Sequence, residues 1–202
     1  MLRFNKLTIG IFLGCAFPIL LFLVALTIWF YVDRNENNAL FYVATGFLIG
    51  LIIDLRYLKD WINHRFELPI WFIAGLYIFY NIVMYGMFMG FPVFNLLWGF
   101  IAGYYYGLRI YYLNIPSVKH QETIHLVSTF TALIMIFICI SSAWIGLAGT
   151  GVGKDLQMMF RLNFEVTKPM IAVVAFAGGV TLIGLQYFIT KLTMKTTIRT
   201  VI

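Results

Sequence analysis

An aspartate inside an apolar run is the first residue of this chain able to do chemistry. Asp54 stands in "GFLIGLIIDLRY", residues 46–57. A carboxylate among such neighbours is costly unless paired or wet, and ionisable groups in membrane segments mark functional sites by default. A related phrase, "GFIAGYYYGLRI", follows at residues 99–110 and repeats Gly, Phe, Gly, Leu and Arg at the same offsets. It carries Gly107 where the first copy has Asp54, and its Arg109 lies at an equivalent depth. The expectation is an inner charge lock between Asp54 and Arg109, across the second and fourth apolar segments. A structural ion pair, or a carboxylate reached by interfacial water, is the plainer alternative.

Asn81 and Asn95 are the other polar groups placed to act. They lie in "YIFYNIVMY" and "PVFNLLWGF", on either side of the short connection "MGF". An antiparallel hairpin brings both amides to a similar depth. They then either bond to one another, worth typically about 0.6 kcal/mol between membrane helices, or contact a small solute from the outer side. In the second case Tyr77, Tyr80, Tyr85 and Trp98 supply aromatic walls around a few convergent polar groups, the usual form of a small-molecule site. Other chemistries fail on residue type. No segment holds paired carboxylates or a Ser–His arrangement for hydrolysis. No lysine lies deep in the last apolar segment for a Schiff base. "GLAGTGVGKD" has Ala148 and Asp155 where a phosphate loop needs Gly and Ser or Thr, and His64, His120 and His125 have no metal-ligand spacing. An enzyme is the least supported reading, with no cofactor and no metal expected.

These residues must be held by elements that suit their solvent. Of the 202 residues 62% are hydrophobic and 11% charged, against about 25% charged in soluble domains, so most of the surface must face lipid. About 20 apolar residues cross the hydrocarbon as a helix. Six segments qualify, at roughly 7–32, 39–58, 69–88, 92–112, 125–147 and 168–190, and the expected fold is all-α: one integral membrane domain over residues 1–202, a six-helix bundle with short loops. The first segment is too long for a signal peptide. Ten of the 14 Lys and Arg residues fall on one side if the N-terminus is inside, which places both termini in the cytoplasm and the chain in the plasma membrane. The basic face suits anionic lipid; scattered charge does not suit nucleic acid.

Small residues recur at helical spacing. Gly10 and Gly14 mark the first segment, Gly46 and Gly50 the second, and Gly99, Gly103 and Gly107 the fourth. Such rows let backbones approach where lipid gives no hydrophobic drive to associate. In the fifth segment His125, Ser128, Ala132, Met135, Cys139, Ser142 and Gly146 form a polar or small stripe expected to line the interior. The basic, aromatic connection at residues 56–67 suits either an interfacial anchor or docking of a cytoplasmic partner. The glycine-rich connection at 149–167 suits a cap on the outer mouth.

In length, six segments and cytoplasmic termini, the chain resembles the substrate-capturing subunits of energy-coupling-factor vitamin transporters. The resemblance is architectural and includes no ligand motif. It implies docking on a membrane partner through small residues of the first segment, where "GIFLGCA" stands. The functional expectation is a multi-pass protein that binds or transports a small solute, alone or as a permease subunit. The alternative is a non-catalytic membrane interaction or assembly protein, in which every polar residue only joins helices.

Overall fold

The computed structural model describes residues 9–88, 90–149 and 151–201. Arg3, Lys6 and Leu7, where the expected inner charge set and the first segment begin, lie outside the described residues. So do Met89 and Thr150 in two of the connections. The described residues form helices and the connections between them, with no strand.

Among the described residues seven helices follow in order: α1 (Ile9–Asp33), α2 (Glu36–Asn63), α3 (Ile70–Met87), α4 (Leu96–Tyr112), α5 (Ser117–Ala148), the short α6 (Val152–Phe160) and α7 (Lys168–Val201). Five of them, α1, α2, α3, α5 and α7, are long and apolar enough to cross a membrane. The protein is therefore read as an integral membrane protein. The expected fourth segment differs. Residues Pro92–Asn95 form a 3₁₀ turn, and the 17-residue α4 follows it directly.

The helices overrun the apolar segments that announced them. α2 continues through "RYLKDWIN" to Asn63, α5 begins at Ser117 rather than His125, and α7 runs to Val201, well past Thr190. Hydropathy marks where lipid ends, whereas backbone hydrogen bonding continues until a breaker arrives. Neither 56–63 nor 191–201 contains Gly or Pro, and Pro116 stands just ahead of the start of α5. The glycine-rich connection at 149–167 likewise contains α6, and a Cβ at Gly153 would meet the Val166 carbonyl oxygen, so the chain after α6 folds back on it.

The chain divides into two units, Met1–Phe79 and Tyr80–Ile202. In the first, α1 ends in a π-helical turn, Trp29–Asp33. Arg34 then adopts φ 54°, and Asn35 caps α2 by accepting from the Asn37 amide at 3.1 Å. This two-residue link makes α1 and α2 an antiparallel pair, and glycine sets their separation. A Cβ at Gly46 would lie 2.5 Å from the Leu21 carbonyl oxygen, and one at Gly50 2.5 Å from the Pro18 Cα. Toward the other end α1 supplies the small residues: Gly14 faces Leu58, and Gly10 faces Ile62.

In the second unit α7 is the central element, with α4 and α5 packed along it. Gly90, at φ 82°, turns the chain after α3, donating its N–H to the Tyr85 carbonyl at 2.9 Å. A Cβ at Gly103 would lie 2.7 Å from the Thr190 carbonyl oxygen, and one at Gly107 2.7 Å from the Thr197 Cβ. Below this seam Ile110, Ile124, Val127, Met194 and Ile198 form an apolar cluster.

Candidate functional site

The second unit buries an unusual number of uncharged polar side chains. Asn95, Ser128 and Thr190 are 0% exposed, Thr131 and Gln186 1%, and Asn81 2%. They come from four elements, and the reason each points inward is local. Asn95 ends the 3₁₀ turn, one turn ahead of Gly99, so it shares the face of α4 that α7 covers. Gly99 admits the facing side chains: a Cβ there would sit 3.0 Å from Gln186 Nε2 and 3.1 Å from Thr190 Oγ1. On α7, Gln186, Thr190, Thr193 and Thr197 recur at four, three and four residues, one face of a helix. The seam is thus a row of glycines on one helix against a row of amide and hydroxyl groups on the other.

Asn95 and Asn81 are joined directly. Asn95 Nδ2 donates to the Asn81 backbone carbonyl at 2.8 Å and to Asn81 Oδ1 at 3.0 Å. Both acceptors are oxygens, so reversing the Asn95 amide would set oxygen against oxygen; the network fixes its orientation. Asn95 Oδ1 therefore points the other way, where it has no hydrogen-bond partner among the described residues. An unsatisfied buried acceptor costs about 1–3 kcal/mol. Ser128 Oγ is in the same condition.

The hydroxyls of Thr131 and Thr190 meet across α5 and α7 at 3.0 Å. Thr190 also reaches the Gln186 carbonyl at 2.9 Å, and Thr131 the Ser128 carbonyl at 3.0 Å. Each hydroxyl has one proton. If both donated to their own helix, two bare oxygens would face each other, so one of them must donate across the seam. The pair has two nearly equivalent arrangements and ties α5 to α7 in either.

The expected aromatic wall is placed in part. Tyr80 is buried and stacks on Trp98, with centroids 4.6 Å apart and planes at 18°. Tyr85 is half-buried beside Gly90, its hydroxyl 3.3 Å from where a Cβ would be. Tyr77 is buried and belongs to the first unit. Asp54 also lies in the first unit and Arg109 in the second, and each is described within its own. Asp54 is 5% exposed and Oδ1 has no hydrogen-bond partner among the described residues, while Oδ2 is 3.7 Å from the Cβ position of Gly14. Arg109, in the last turn of α4, has its guanidinium 6.0 Å from the Tyr106 ring centre.

One sequence reading needs correction. The inner stripe of α5 is Ile124, Val127, Ser128, Thr131, Ala132, Met135 and Ile138, rotated from the expected one. His125 is exposed and Cys139 only half-buried. Spacings of three and four admit either stripe, and the Thr131–Thr190 contact selects this one. The connection at 56–67 is mostly the end of α2; Tyr57 is exposed, while Trp61 and Phe66 turn inward. Trp61 packs against Phe17 at 5.3 Å and Phe72 at 5.7 Å, and Phe66 is buried.

Gln186, Thr190, Thr131 and Thr197 were missed in the sequence. The signal for the three on α7 was the four-three-four spacing, hidden because the apolar segment ends at Thr190 and half of the row lies beyond it; Thr131, on α5, carried no such signal. An apolar groove of about 230 Å3 also opens in the first unit, lined by Phe17, Leu20, Trp71, Gly75 and Phe79 among others; it offers nothing to a polar ligand. No protein-family model matches the chain, and neither does any curated protein or any solved structure.

Proposed function

We propose that this chain is a six-span protein of the plasma membrane, both termini cytoplasmic, that binds or moves a small polar solute, alone or as the substrate-capturing subunit of a permease. The 3₁₀ turn and α4 together rise about 33 Å, which suits a sixth span. The observation that carries the reading is Asn95 Oδ1, fully buried, fixed in direction and without a donor among the described residues. A solute presenting an N–H or O–H group satisfies it. Asn81 orients the receiving amide, and Tyr80 and Trp98 wall the approach. The surrounding seam of amides and hydroxyls favours an uncharged ligand, since nothing in the seam neutralises a charge in low dielectric.

Purification in mild detergent followed by mass spectrometry of bound small molecules tests this. The wild type is expected to carry a solute with hydrogen-bond donors, and Asn95→Leu to lose it while still eluting as a single species. A rival reading, a membrane assembly protein, draws on the mutual bonding of the two asparagines. It expects no solute in either sample and a change in stability or assembly alone. Asp54 enters as the transport-linked charge. Asp54→Asn removes a buried carboxylate oxygen that has no donor, so the thermal midpoint in detergent is expected to hold or rise while uptake into vesicles fails. A fall in the midpoint would make Asp54 a structural anchor instead.

A further inference from the structure

His125 looks outward, yet it is tied to a neighbour. Its Nδ1 lies 2.8 Å from the Tyr187 hydroxyl, joining α5 to α7 at the surface. Lys191, one turn further along α7, holds its ammonium 5.4 Å from the Tyr187 ring centre. All three sit where the apolar part of each helix ends: Leu126 begins it on α5, and Ile189 closes it on α7. This is the depth of lipid headgroups. When Tyr187 donates to Nδ1, the ring proton is on Nε2, which leaves His125 one N–H donor for a ligand.

A second feature lies on the apolar side of the cluster. Gly184 is three residues from Tyr187 and on the same face of α7, with Val180 one turn beyond. A Cβ at Gly184 would meet nothing within 4 Å, so the surface of α7 is open there, on the apolar side of Tyr187. Val180, Leu185 and Phe188, 57%, 42% and 59% exposed, give this part of α7 an apolar outer surface. Donors and positive charge at the headgroup level, with an open apolar helix face alongside, match the two ends of a phospholipid. Lys195 adds positive charge one turn beyond Lys191, and Glu122, one turn from His125, is the acidic residue nearby in sequence.

We infer that His125, Tyr187 and Lys191 form a specific site for an anionic phospholipid. Its phosphate is held by Lys191 Nζ and His125 Nε2–H, and an acyl chain lies over Gly184 and Val180. The site is separate from the solute reading and rests only on α5 and α7 crossing the membrane.

The full chain in nanodiscs of phosphatidylcholine with a minority of phosphatidylglycerol provides the test, with retained lipid counted by native mass spectrometry. Wild type is expected to retain phosphatidylglycerol preferentially. Lys191→Gln should lower that retention about fivefold, from one lost cation–phosphate contact at a membrane surface. Gly184→Leu puts a side chain where the acyl chain would lie and should lower it comparably, whereas Gly178→Leu, which also meets open space but on another face, should not. Lys195→Gln removes the same charge from outside the cluster and should have a smaller effect than Lys191→Gln. Equal retention of the two lipids by wild type, equal effects of the two lysine changes, or an unaffected Gly184→Leu each overturns the site. Survival in the nanodisc is recorded separately, so a failure of membrane insertion is not mistaken for loss of lipid.

Discussion

Gly50→Leu is expected to force α1 and α2 apart and to abolish the single, monodisperse species in mild detergent. The Cβ alone would lie 2.5 Å from Pro18 Cα, 2.7 Å from its nitrogen and 2.8 Å from the Phe17 carbonyl oxygen. All three are backbone atoms, so no rotamer change relieves the contact and the helix axes must separate. Overpacking a tight site costs typically 1–3 kcal/mol and occasionally more; with backbone opposite backbone, about 3 kcal/mol or above is expected. Gly103→Leu should do the same in the second unit, where the Thr190 carbonyl and Thr193 Cβ stand 2.7 and 2.9 Å away. Glycines of α3 and α7 provide the control. Cβ atoms at Gly75, Gly86 and Gly178 meet nothing within 4 Å, so leucine there is expected to be neutral or slightly stabilising, as removal of a helical glycine usually is. Thermal unfolding followed by size-exclusion chromatography separates the two groups. If all five variants behave alike, the glycines do not set the helix separation.

Asn95→Asp is expected to be nearly as damaging, though it exchanges a single NH2 group for oxygen. The nitrogen now serves two acceptors on Asn81, at 2.8 and 3.0 Å. An ionised aspartate would turn oxygen toward both of them from a position 0% exposed. A carboxylate at the centre of a membrane helix costs about 2.5–3.5 kcal/mol on insertion scales, and a protonated one offers a single hydrogen where two acceptors wait. A loss of roughly 3 kcal/mol is expected in detergent, seen as a large fall in the thermal midpoint. Asn95→Leu should fall less, since it removes the donor without adding a charge. If Asp and Asn prove interchangeable, the amide pair is open to water and the buried acceptor at Asn95 loses its significance.

The helices themselves were readable one by one. Long apolar runs bounded by "DRNENN", "ELP" and "TKP" locate α2, α3 and α7, because a backbone in lipid must satisfy its own hydrogen bonds. Their ends were less readable, since neither a lysine nor a threonine stops a helix. Within the candidate site, Asn81 and Asn95 stood out as amides in apolar surroundings. The threonines of α7 did not, because threonine is common at membrane boundaries and half of the row continues past Thr190 into polar sequence. The position of His125 was misread for a related reason: a titratable residue on a helix of apolar neighbours suggests an inward face, yet at the headgroup level it is equally at home outside.

The sequence by itself determined the solvent, the secondary structure and the approximate places where helices meet water. Each of these follows from local composition and the length of an apolar run. Only the tertiary structure decided which face of each helix is inside. In water a buried face declares itself by contrast with a polar one, but lipid and protein interior are equally apolar, so α5 could have turned either of two stripes inward. The choice came from contacts between residues far apart in the chain: Thr131 against Thr190, Gly99 against Gln186, and Asn95 against Asn81. Each depends on how two helices are set against one another, and at Gly99 it is the missing Cβ that admits the polar group.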